Sequence, residues 1–363
     1  GTDGAAGDAA KQPDAAENVH RRRHETNHKR DGQQVQKTAQ ETLGAELGDA
    51  ETPGVMMDRY LTYPVSSPVG DGRQVAVQLP VEIGQDVVDH LLIADTHDHL
   101  LFFTNRGRVL HTKCYRVPQE ATRAAKGTPL VNIIPVQDNE RVTAIVATSD
   151  FEHDNFLFMC TRKGKVKKTQ VKEFASVVAR TPGIIAMNLG SGDELVSAEI
   201  VEDTDDVVGI TEQGQAIRFP AHDVRPQLRN ASGVRGIRLS GDDRVIDFER
   251  VVEGGYLLVV GEKGLGKLTR LENYPAHHRG TRGVLTLKIT TRTGPVAAAR
   301  VVHPSEELMI ISRKGIMLRT TLQQVRVTGR AAQGVRIMDL SGGDTVSSIA
   351  SFDSSKNDAP AGD

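Results

Sequence analysis

The 363-residue sequence has no tryptophan, an aromatic content of 4% and only two cysteines, Cys114 and Cys160. Two cysteines that do not form a C-x-x-C pair argue against a disulfide framework or a zinc ribbon, and they fit a reducing cytoplasm. No apolar run approaches the roughly 18 residues of a membrane span, and the N-terminus lacks the layout of a signal peptide. We therefore expect a cytoplasmic protein with no membrane contact.

The two ends of the sequence have little to bury. Residues 1–53 are rich in Ala, Gly, Asp, Gln and Glu and almost lack large apolar side chains, so they are predicted to be a disordered linker. Residues 354–363 are predicted to be a short flexible tail. The formal net charge of the chain is only −2. Any surface that binds anions must therefore come from charges sorted onto one face.

The remaining sequence is repetitive. Five segments, such as YLLVVGEKGLGKLT (256–269), consist of a short apolar strand, a polar turn with glycine and a second strand that often carries basic residues. Glycine suits a tight hairpin turn because it tolerates a positive φ. The turn glycines recur at intervals of 57, 50, 50 and 51 residues and are Gly107, Gly164, Gly214, Gly264 and Gly315.

A second marker, such as NASGVRGIRL (230–239), follows each turn glycine by 19 or 20 residues. An acidic or polar turn and another apolar strand close each unit. About four short strands in about 50 residues predict an all-β, propeller-like array of four-stranded blades. The clear repeats cover 90–353, residues 54–89 are a candidate degenerate first unit, and we expect one domain over 54–353. The marker glycines are Gly127, Gly183, Gly233, Gly283 and Gly334.

Basic residues recur at equivalent places in these units, and stacked blades would place them on one rim. Such a rim with few aromatic rings suits the phosphate backbone of duplex DNA better than single strands, which call for stacking side chains. The alternative is that lysine and arginine only solvate exposed hairpins. The predicted DNA-binding residues are Arg106, Arg108, Arg123, Lys126, Lys163, Lys165, Lys167, Lys168, Arg180, Arg218, Arg235, Arg238, Lys263, Lys267, Arg270, Arg279, Arg282, Lys314, Arg319, Arg330 and Arg336.

The stretch GEKGLGKL (261–268) also fits the first part of a phosphate-binding loop pattern. However, Leu268 stands where that loop needs a magnesium-binding hydroxyl, and Pro275 comes too early for the long helix that should face the phosphates. We therefore interpret Lys267 as part of the basic rim and expect no nucleotide cofactor. His97 and His99 lack further ligands at convincing spacing, so no metal site is predicted.

The most specific stretches are LLIADTHDHLLFFTNRGRV, EATRAAKGTPLVNIIPV, NASGVRGIRL and GRAAQGVRIMDL. Through them the chain resembles the C-terminal domain of the DNA gyrase A subunit, from about Asp86 to Phe352. The resemblance implies a six-bladed β-pinwheel with strands exchanged between neighbouring blades. It also implies that the basic rim wraps double-stranded DNA to support chiral strand passage and negative supercoiling. The implied partners are the catalytic gyrase A core and the gyrase B subunit, at a nucleoid-associated location, with no small-molecule substrate.

Two departures from that family qualify the functional expectation. The family's basic signature Q-R-R-G-G-K-G is absent, and the corresponding stretch is VGDGRQVAVQLPVE (69–82). We expect this to weaken full wrapping and supercoiling without abolishing DNA binding by the other blades. The sequence also contains no breakage-reunion domain or catalytic tyrosine pattern, so we expect an accessory module of an ATP-dependent type II topoisomerase and no enzyme activity of this chain alone. The alternative is a propeller-type protein-interaction module that has lost DNA wrapping.

Overall fold

The structure, a computed structural model, describes residues 59–65, 74–80, 88–118, 128–180 and 182–352. The predicted linker (1–53) and the predicted tail (354–363) lie outside the described residues. Contacts divide the chain into the units Gly1–Val55 and Met56–Asp363, and every described residue belongs to the second unit. Within the described residues, no helix is long and apolar enough to cross a membrane.

Short strands rich in Val, Ile, Leu and Phe dominate the described part of the chain, as the repeat predicts. In chain order the strands are β1 (Arg59–Val65), β2 (Gln74–Pro80), β3 (Val88–Asp95), β4 (His99–Thr104), β5 (Arg108–Lys113), β6 (Thr128–Pro129), β7 (Val142–Thr148), β8 (Phe156–Thr161), β9 (Lys165–Gln170), β10 (Ile184–Ile185), β11 (Leu195–Val201), β12 (Asp206–Thr211), β13 (Gln215–Pro220), β14 (Val234–Arg235), β15 (Val245–Arg250), β16 (Tyr256–Gly261), β17 (Leu265–Arg270), β18 (Val284–Leu285), β19 (Val296–Val302), β20 (Glu307–Ser312), β21 (Met317–Thr321), β22 (Val335–Arg336) and β23 (Val346–Phe352).

Short 3-10 helices follow the hairpins. One lies directly after β6, and each of the others follows the second strand of a repeat hairpin. They are Cys114–Arg116, Leu130–Asn132, Val171–Ala179, Ala221–Asp223, Leu271–Asn273 and Leu322–Gln324.

The strands form six antiparallel sheets, which we call blades 1 to 6. From the innermost strand outward, blade 1 is β3-β2-β1-β6, blade 2 is β7-β4-β5-β10, blade 3 is β11-β8-β9-β14, blade 4 is β15-β12-β13-β18, blade 5 is β19-β16-β17-β22 and blade 6 is β23-β20-β21. The prediction of an all-β array of six blades is therefore confirmed. Residues 59–95 supply three strands of blade 1, where the sequence indicated only a degenerate unit.

Neighbouring blades exchange strands. In blades 1 to 5 the outermost strand comes from the following repeat, so β14 pairs with β9 although it lies beyond β12 and β13 in sequence. The second glycine marker of each repeat therefore belongs to the preceding blade. We call the residues that carry these outer strands exchange segments, and in blades 2 to 5 they are 183–189, 233–239, 283–289 and 334–340.

Each of these exchange segments also caps a hairpin turn. In blade 4, the backbone N–H groups of Thr286 and Leu287 donate to the carbonyl of the turn glycine Gly214 at 2.8 and 3.2 Å. Gly214 has φ +75°, and a Cβ there would lie 2.2 Å from the Leu287 carbonyl oxygen. Glycine is therefore required twice at this turn, by the left-handed backbone and by the close approach of the exchange segment.

The innermost strands form the centre of the array. Each contacts the innermost strand of the next blade, and β23 of blade 6 contacts β3 of blade 1, so the ring is closed. Apolar side chains fill the space between adjacent blades. Phe158 of blade 3 lies 6.2 Å from Phe219 and 5.8 Å from Phe248 of blade 4, measured between ring centroids. Interdigitation of this kind lets a chain with few aromatic residues bury a core in each gap between blades.

Carboxylates join successive innermost strands. Glu199 of β11 accepts a hydrogen bond from the backbone N–H of Arg250 in β15 at 2.6 Å, and Glu249 of β15 accepts one from Val301 in β19. Burial, followed by the charge of Glu249, raises the pKa of Glu199 to about 8. Burial also raises the pKa of Glu249. We therefore expect the contacts between blades 3, 4 and 5 to depend on pH.

Candidate nucleic-acid interface

The exchange segments form a continuous surface on the outer edge of blades 2, 3 and 4. The N–H of Asn188 donates to the carbonyl of Ala231 at 3.1 Å, and the N–H of Arg238 donates to the carbonyl of Thr281 at 2.8 Å. Each exchange segment is thus tied to the turn that precedes the next one. We call this surface, formed by residues 182–189, 229–239 and 279–289, the outer belt.

The outer belt collects cations that form no ion pair within the part of the chain that the structure describes. Arg235 pairs in register with Lys165 across the β14–β9 ladder. Arg279 donates from Nη1 to the carbonyl of Arg235 at 3.1 Å, which brings a third cation to the same place. No carboxylate in the described ranges forms an ion pair with Arg235 or Lys165. Like charges directly opposite each other in a sheet are unfavourable, so this arrangement favours a bound anion.

Other predicted residues extend the belt. Arg238 and Arg282 are exposed on the segments of blades 3 and 4, and Arg180 is exposed just before the segment of blade 2. The sequence analysis missed Lys288, which is also exposed. Lys288 and Arg238 both lie five residues after their marker glycines, so alignment of the repeats would have identified Lys288 as a member of the basic rim.

Arg229 was missed as well. It is half-buried, and its Nη1 donates to the carbonyl of Ile185 at 3.3 Å. It lies four residues before its marker glycine, as do the half-buried Arg279 and Arg330. The position four residues before the marker glycine is therefore arginine for blades 3, 4 and 5, just before each exchange segment begins.

A second group of predicted cations lies at the hairpin turns, and their side chains point toward the centre of the ring. Lys163 donates from Nζ to the carbonyl of Ser191 at 2.7 Å, and Lys314 donates to the carbonyl of Gly342 at 2.8 Å. Arg106 donates in the same way to the carbonyl of Asp138. These carbonyls belong to the turns before innermost strands. The exposed turn cations, including Lys263, therefore lie nearer the ring centre than the outer belt does.

A third group has charged or aromatic partners within the fold. Arg108 pairs with Glu140 at 2.7 Å, and Arg218 pairs with Asp206 at 2.7 Å. The guanidinium of Arg270 lies 5.3 Å from the centroid of the Tyr256 ring. Two more of the predicted cations form ion pairs, Arg319 with Glu307 and Arg336 with Asp339.

Three predicted DNA-binding lysines are buried, and for them the prediction of an exposed rim is wrong. Lys167, Lys168 and Lys267 are each 0% exposed. Lys168 pairs with Asp203 and donates to the carbonyl of Ala221 at 3.0 Å. A side chain without solvent access cannot reach a phosphate on the surface. These lysines stabilise the fold instead.

Lys167 and Lys267 hold the start of the exchange segments. Lys167 of β9 donates from Nζ to the carbonyls of Leu228, at 3.3 Å, and Arg229, while Lys267 of β17 donates to those of Gly329, at 2.6 Å, and Arg330. Burial lowers the pKa of Lys267 to about 8. Burial, followed by the charge of Arg229, lowers the pKa of Lys167 to about 7. Lys267 is therefore a structural residue on a strand and does not act as a nucleotide-binding lysine.

Arg123 and Lys126 lie outside the described residues, so their part in the rim stays a prediction. The ring of His99 lies beside that of His111, with Nδ1 and Nε2 2.8 Å apart. Among the described residues, no three His, Cys, Asp or Glu side chains form a group that could hold a metal ion.

Comparison with known families matches the observed blades. The family described as "DNA gyrase C-terminal domain, beta-propeller" matches five successive segments, 98–149, 155–202, 205–251, 255–303 and 306–353. These segments cover more than half of the chain. The chain belongs to this family.

The relatives of this domain include the A subunits of several DNA gyrases. The chain is 39% identical over 273 residues to that of Dehalogenimonas lykanthroporepellens, a match that covers 74% of this chain and 33% of the relative. It is 42% identical over 268 residues to that of Deinococcus deserti, covering 72% and 33%. It is 40% identical over 251 residues to that of Escherichia coli, covering 69% and 28%. The chain thus spans about a third of the length of these relatives.

Solved structures share the fold. "Structure of DNA gyrase A C-terminal domain" superposes with a TM-score of 0.65 at 24% identity and covers 82% of this chain and 100% of that chain. "Crystal structure of the C-terminal domain of DNA topoisomerase IV" superposes with a TM-score of 0.68 at 20% identity, covering 85% and 96%. At these identities the similarity concerns the fold of the β-pinwheel.

Proposed function

We propose that this gyrase-type C-terminal domain binds duplex DNA without sequence specificity along its outer belt and bends or wraps it around the blades. The observation that carries the proposal is the cluster formed by Lys165, Arg235 and Arg279. Arg235 lies opposite Lys165 in the β14–β9 register, Arg279 donates to the backbone carbonyl of Arg235, and no carboxylate among the described residues forms an ion pair with any of the three. Regularly spaced phosphates would provide the missing negative charge.

The belt is also continuous, as a wrapped duplex requires. Hydrogen bonds link the exchange segments of blades 2 and 3 to the turns that precede the next segments, so a bound backbone can pass from one blade to the next. The exposed Arg180, Arg238, Arg282 and Lys288 lie along that path. Contacts of this kind fix the position of a duplex and carry no sequence information.

The stretch that replaces the family's Q-R-R-G-G-K-G signature supports incomplete wrapping. Part of VGDGRQVAVQLPVE (69–82) forms β2 in the middle of blade 1, between β1 and β3. It contains one arginine, Arg73, and no lysine. We propose that the domain binds and bends DNA along blades 2 to 4 and closes the DNA path less completely than a domain that carries the signature.

The resemblance extends the proposal to the assembly. We propose that the domain serves as an accessory module of an ATP-dependent type II topoisomerase, together with a catalytic gyrase A core and a gyrase B subunit. In that setting, a bound duplex would present a second DNA segment to the catalytic gate with a fixed sign of crossing. The membership of the family and the outer belt support this role.

The test is DNA binding by the domain over a series of salt concentrations. A labelled duplex of about 40 base pairs should bind with a log affinity that falls with log salt at about −0.9 per phosphate contact. The triple variant Arg235→Glu, Arg238→Glu and Arg282→Glu should bind more weakly to every sequence, with a shallower salt dependence.

A matched control reverses three cations at the opposite end of the hairpins, Lys172→Glu, Arg270→Glu and Arg319→Glu. This control changes the net charge by the same amount but leaves the outer belt intact. Equal loss of binding in both variants would show that only overall charge matters, and it would overturn the proposed surface. A flat salt response of the unmodified protein would overturn DNA binding itself.

A further inference from the structure

The outer edge of blade 6 differs from that of every other blade. Its third strand, β21, pairs with β20, and no described residue pairs with its other side. In blades 2 to 5, the equivalent strand pairs with an exchange segment from the following repeat. Blade 6 is followed by no further repeat in the described residues. An unpaired strand edge presents backbone donors and acceptors that can template another strand.

The turn glycines show the same difference at atomic detail. A Cβ on Gly214 would meet the Leu287 carbonyl oxygen at 2.2 Å, and one on Gly264 would meet the Met338 carbonyl oxygen at 2.3 Å. A Cβ on Gly315, the equivalent turn glycine of blade 6, would meet no atom of the described residues within 4 Å. The backbone at Gly315 nevertheless has φ +79°, like the other turn glycines. The turn therefore has the same backbone conformation as the turns that accept an exchange segment, although no segment of the described residues lies on it.

The residue after the turn glycine is apolar and uncovered. Leu265 follows Gly264 in blade 5, pairs with Arg336 of the exchange segment and is 5% exposed. Ile316 follows Gly315 in blade 6 and is 48% exposed. The apolar cluster beside it contains one buried residue, Ile311, with the partly buried Met309 and Met317 packed against it. Covering Ile316 would therefore bury apolar surface as it does in blade 5.

The exchange segments of blades 2 to 5 show what such an edge binds. The segments on blades 2 to 5 share the pattern glycine, Val or Ile, two variable residues, then Ile, Leu or Met, one variable residue, and Leu or Ile. This pattern occurs four times in the 363 residues, and all four copies already lie on their own blades. No fifth copy is left to occupy blade 6.

We propose that the outer edge of β21 binds an extended segment of a partner protein that carries this pattern. The segment would add a fourth strand to blade 6, donate two backbone N–H groups to the carbonyl of Gly315 and place its apolar side chains over Ile316. This is recognition by strand addition, in which the backbone supplies affinity and the alternate side chains supply specificity. The proposal does not depend on DNA binding.

The experiment uses a peptide with the sequence of residues 332–341, AQGVRIMDLS, because its own receptor strand begins with Leu265. We expect binding that Ile316→Asp weakens about tenfold or more. Val178→Asp is the matched protein control, since Val178 is also apolar and 48% exposed. A peptide with Gly334→Ala should not bind, because the Cβ of that residue would lie 2.4 Å from a receptor carbonyl oxygen.

Hydrogen exchange locates the bound peptide. Protection should appear in residues 316–321, while faster exchange in residues 334–340 would mean that the peptide displaces the segment of blade 5 and would overturn the proposal. No binding, or equal binding to the Ile316→Asp variant, would also overturn it. Self-association of the chain that Ile316→Asp abolishes, without peptide binding, would assign the edge to a second copy and reject a partner segment.

Discussion

Arg235 of β14 lies directly opposite Lys165 of β9 in the antiparallel register of blade 3. Strand exchange creates this pair, because the two residues belong to different repeats and lie on one blade only after β14 has joined the preceding sheet. Two cations at this separation repel each other, and Arg279 adds a third. A blade that kept this arrangement for stability alone would be better served by a carboxylate at one of the positions.

Replacing Arg235 separates binding from stability. In Arg235→Ser, we expect weaker DNA binding and a salt dependence shallower by about 0.9 in log–log slope, since one phosphate contact is lost. In the absence of DNA, the same change should raise the free energy of unfolding by about 0.5 kcal/mol, because cross-strand repulsion is removed. Fluorescence anisotropy and urea unfolding measure the two effects.

Arg270→Ser is the control for this variant. Arg270 is exposed and lies over the Tyr256 ring at the far end of its hairpin. It should leave the salt dependence of DNA binding unchanged. If Arg270→Ser reduced the slope as much as Arg235→Ser, the bound duplex would not follow the outer belt.

The buried lysines give a prediction about pH. The pKa of Lys167 falls from its ordinary value of 10.5 to about 7 because burial disfavours the charged amine. Between these values the unfolded chain holds a proton that the folded protein has released, so the free energy of unfolding should rise with pH. The rise can reach about 1.4 kcal/mol per pH unit. The free energy of unfolding of the Lys167→Met variant should rise less steeply between pH 7 and 9.

Urea unfolding at pH 7, 8 and 9 measures these slopes. Lys163→Met provides the comparison, because Lys163 is exposed at the neighbouring turn. It should keep the slope of the unmodified protein. Equal slopes for the Lys167→Met and Lys163→Met variants would mean that the amine of Lys167 stays charged throughout and that its carbonyl partners offset its burial.

For Lys167 and Lys267, the sequence could predict burial but not the partners of the side chains. The position three residues after the turn glycine is Leu110, Ile217 and Leu318 in the other repeats, and Lys167 and Lys267 in these two. Apolar residues in the majority indicate a position that faces the core, so burial could have been predicted. The carbonyls of Leu228, Arg229, Gly329 and Arg330 that receive the amines could not, since they lie 61 to 63 residues further along the chain.

Periodicity was sufficient to predict the blades and their turn glycines, because each repeat must bury the same apolar face. It did not separate surface cations from paired ones. Arg108 and Arg106 are two residues apart on one hairpin, yet Arg108 pairs with the buried Glu140 and Arg106 is exposed. That distinction depends on the turn before β7, which approaches the hairpin only in three dimensions. The outer belt likewise depends on which blade receives each exchange segment.

The carboxylates between innermost strands should make stability depend on pH in the opposite direction. The pKa of Glu199 rises from 4.5 to about 8 through burial and the charge of Glu249. Between these values the folded protein keeps a proton that the unfolded chain has lost, so stability should fall as pH rises. Glu199→Gln stays neutral and keeps an oxygen for the N–H of Arg250. It should therefore be more stable than the unmodified protein at pH 8, with a smaller difference at pH 5.

Thermal unfolding at both pH values measures this effect. Glu253→Gln, at an exposed turn, should show no such dependence on pH. If Glu199→Gln gained as much stability at pH 5 as at pH 8, titration of Glu199 would not be the cause. Any gain would then reflect the packing of the amide.

Two turn glycines offer a direct measure of what an exchange segment contributes. Gly214 and Gly315 have φ of +75° and +79°, so alanine brings similar backbone strain to both. Only at Gly214 does the new Cβ meet an exchange segment, at 2.2 Å from the Leu287 carbonyl oxygen. We therefore expect Gly214→Ala to reduce the free energy of unfolding by about 1–3 kcal/mol more than Gly315→Ala does.

Urea unfolding of the two variants gives this difference, since backbone strain cancels between them. Equal destabilisation would mean that the segment of blade 4 moves aside at little cost and that strand exchange contributes less than its contacts suggest. The peptide of residues 332–341 supplies the complementary measurement. Gly315→Ala should weaken its binding while changing the stability of the free protein less than Gly214→Ala does, because at blade 6 the Cβ meets a segment only when the peptide is bound.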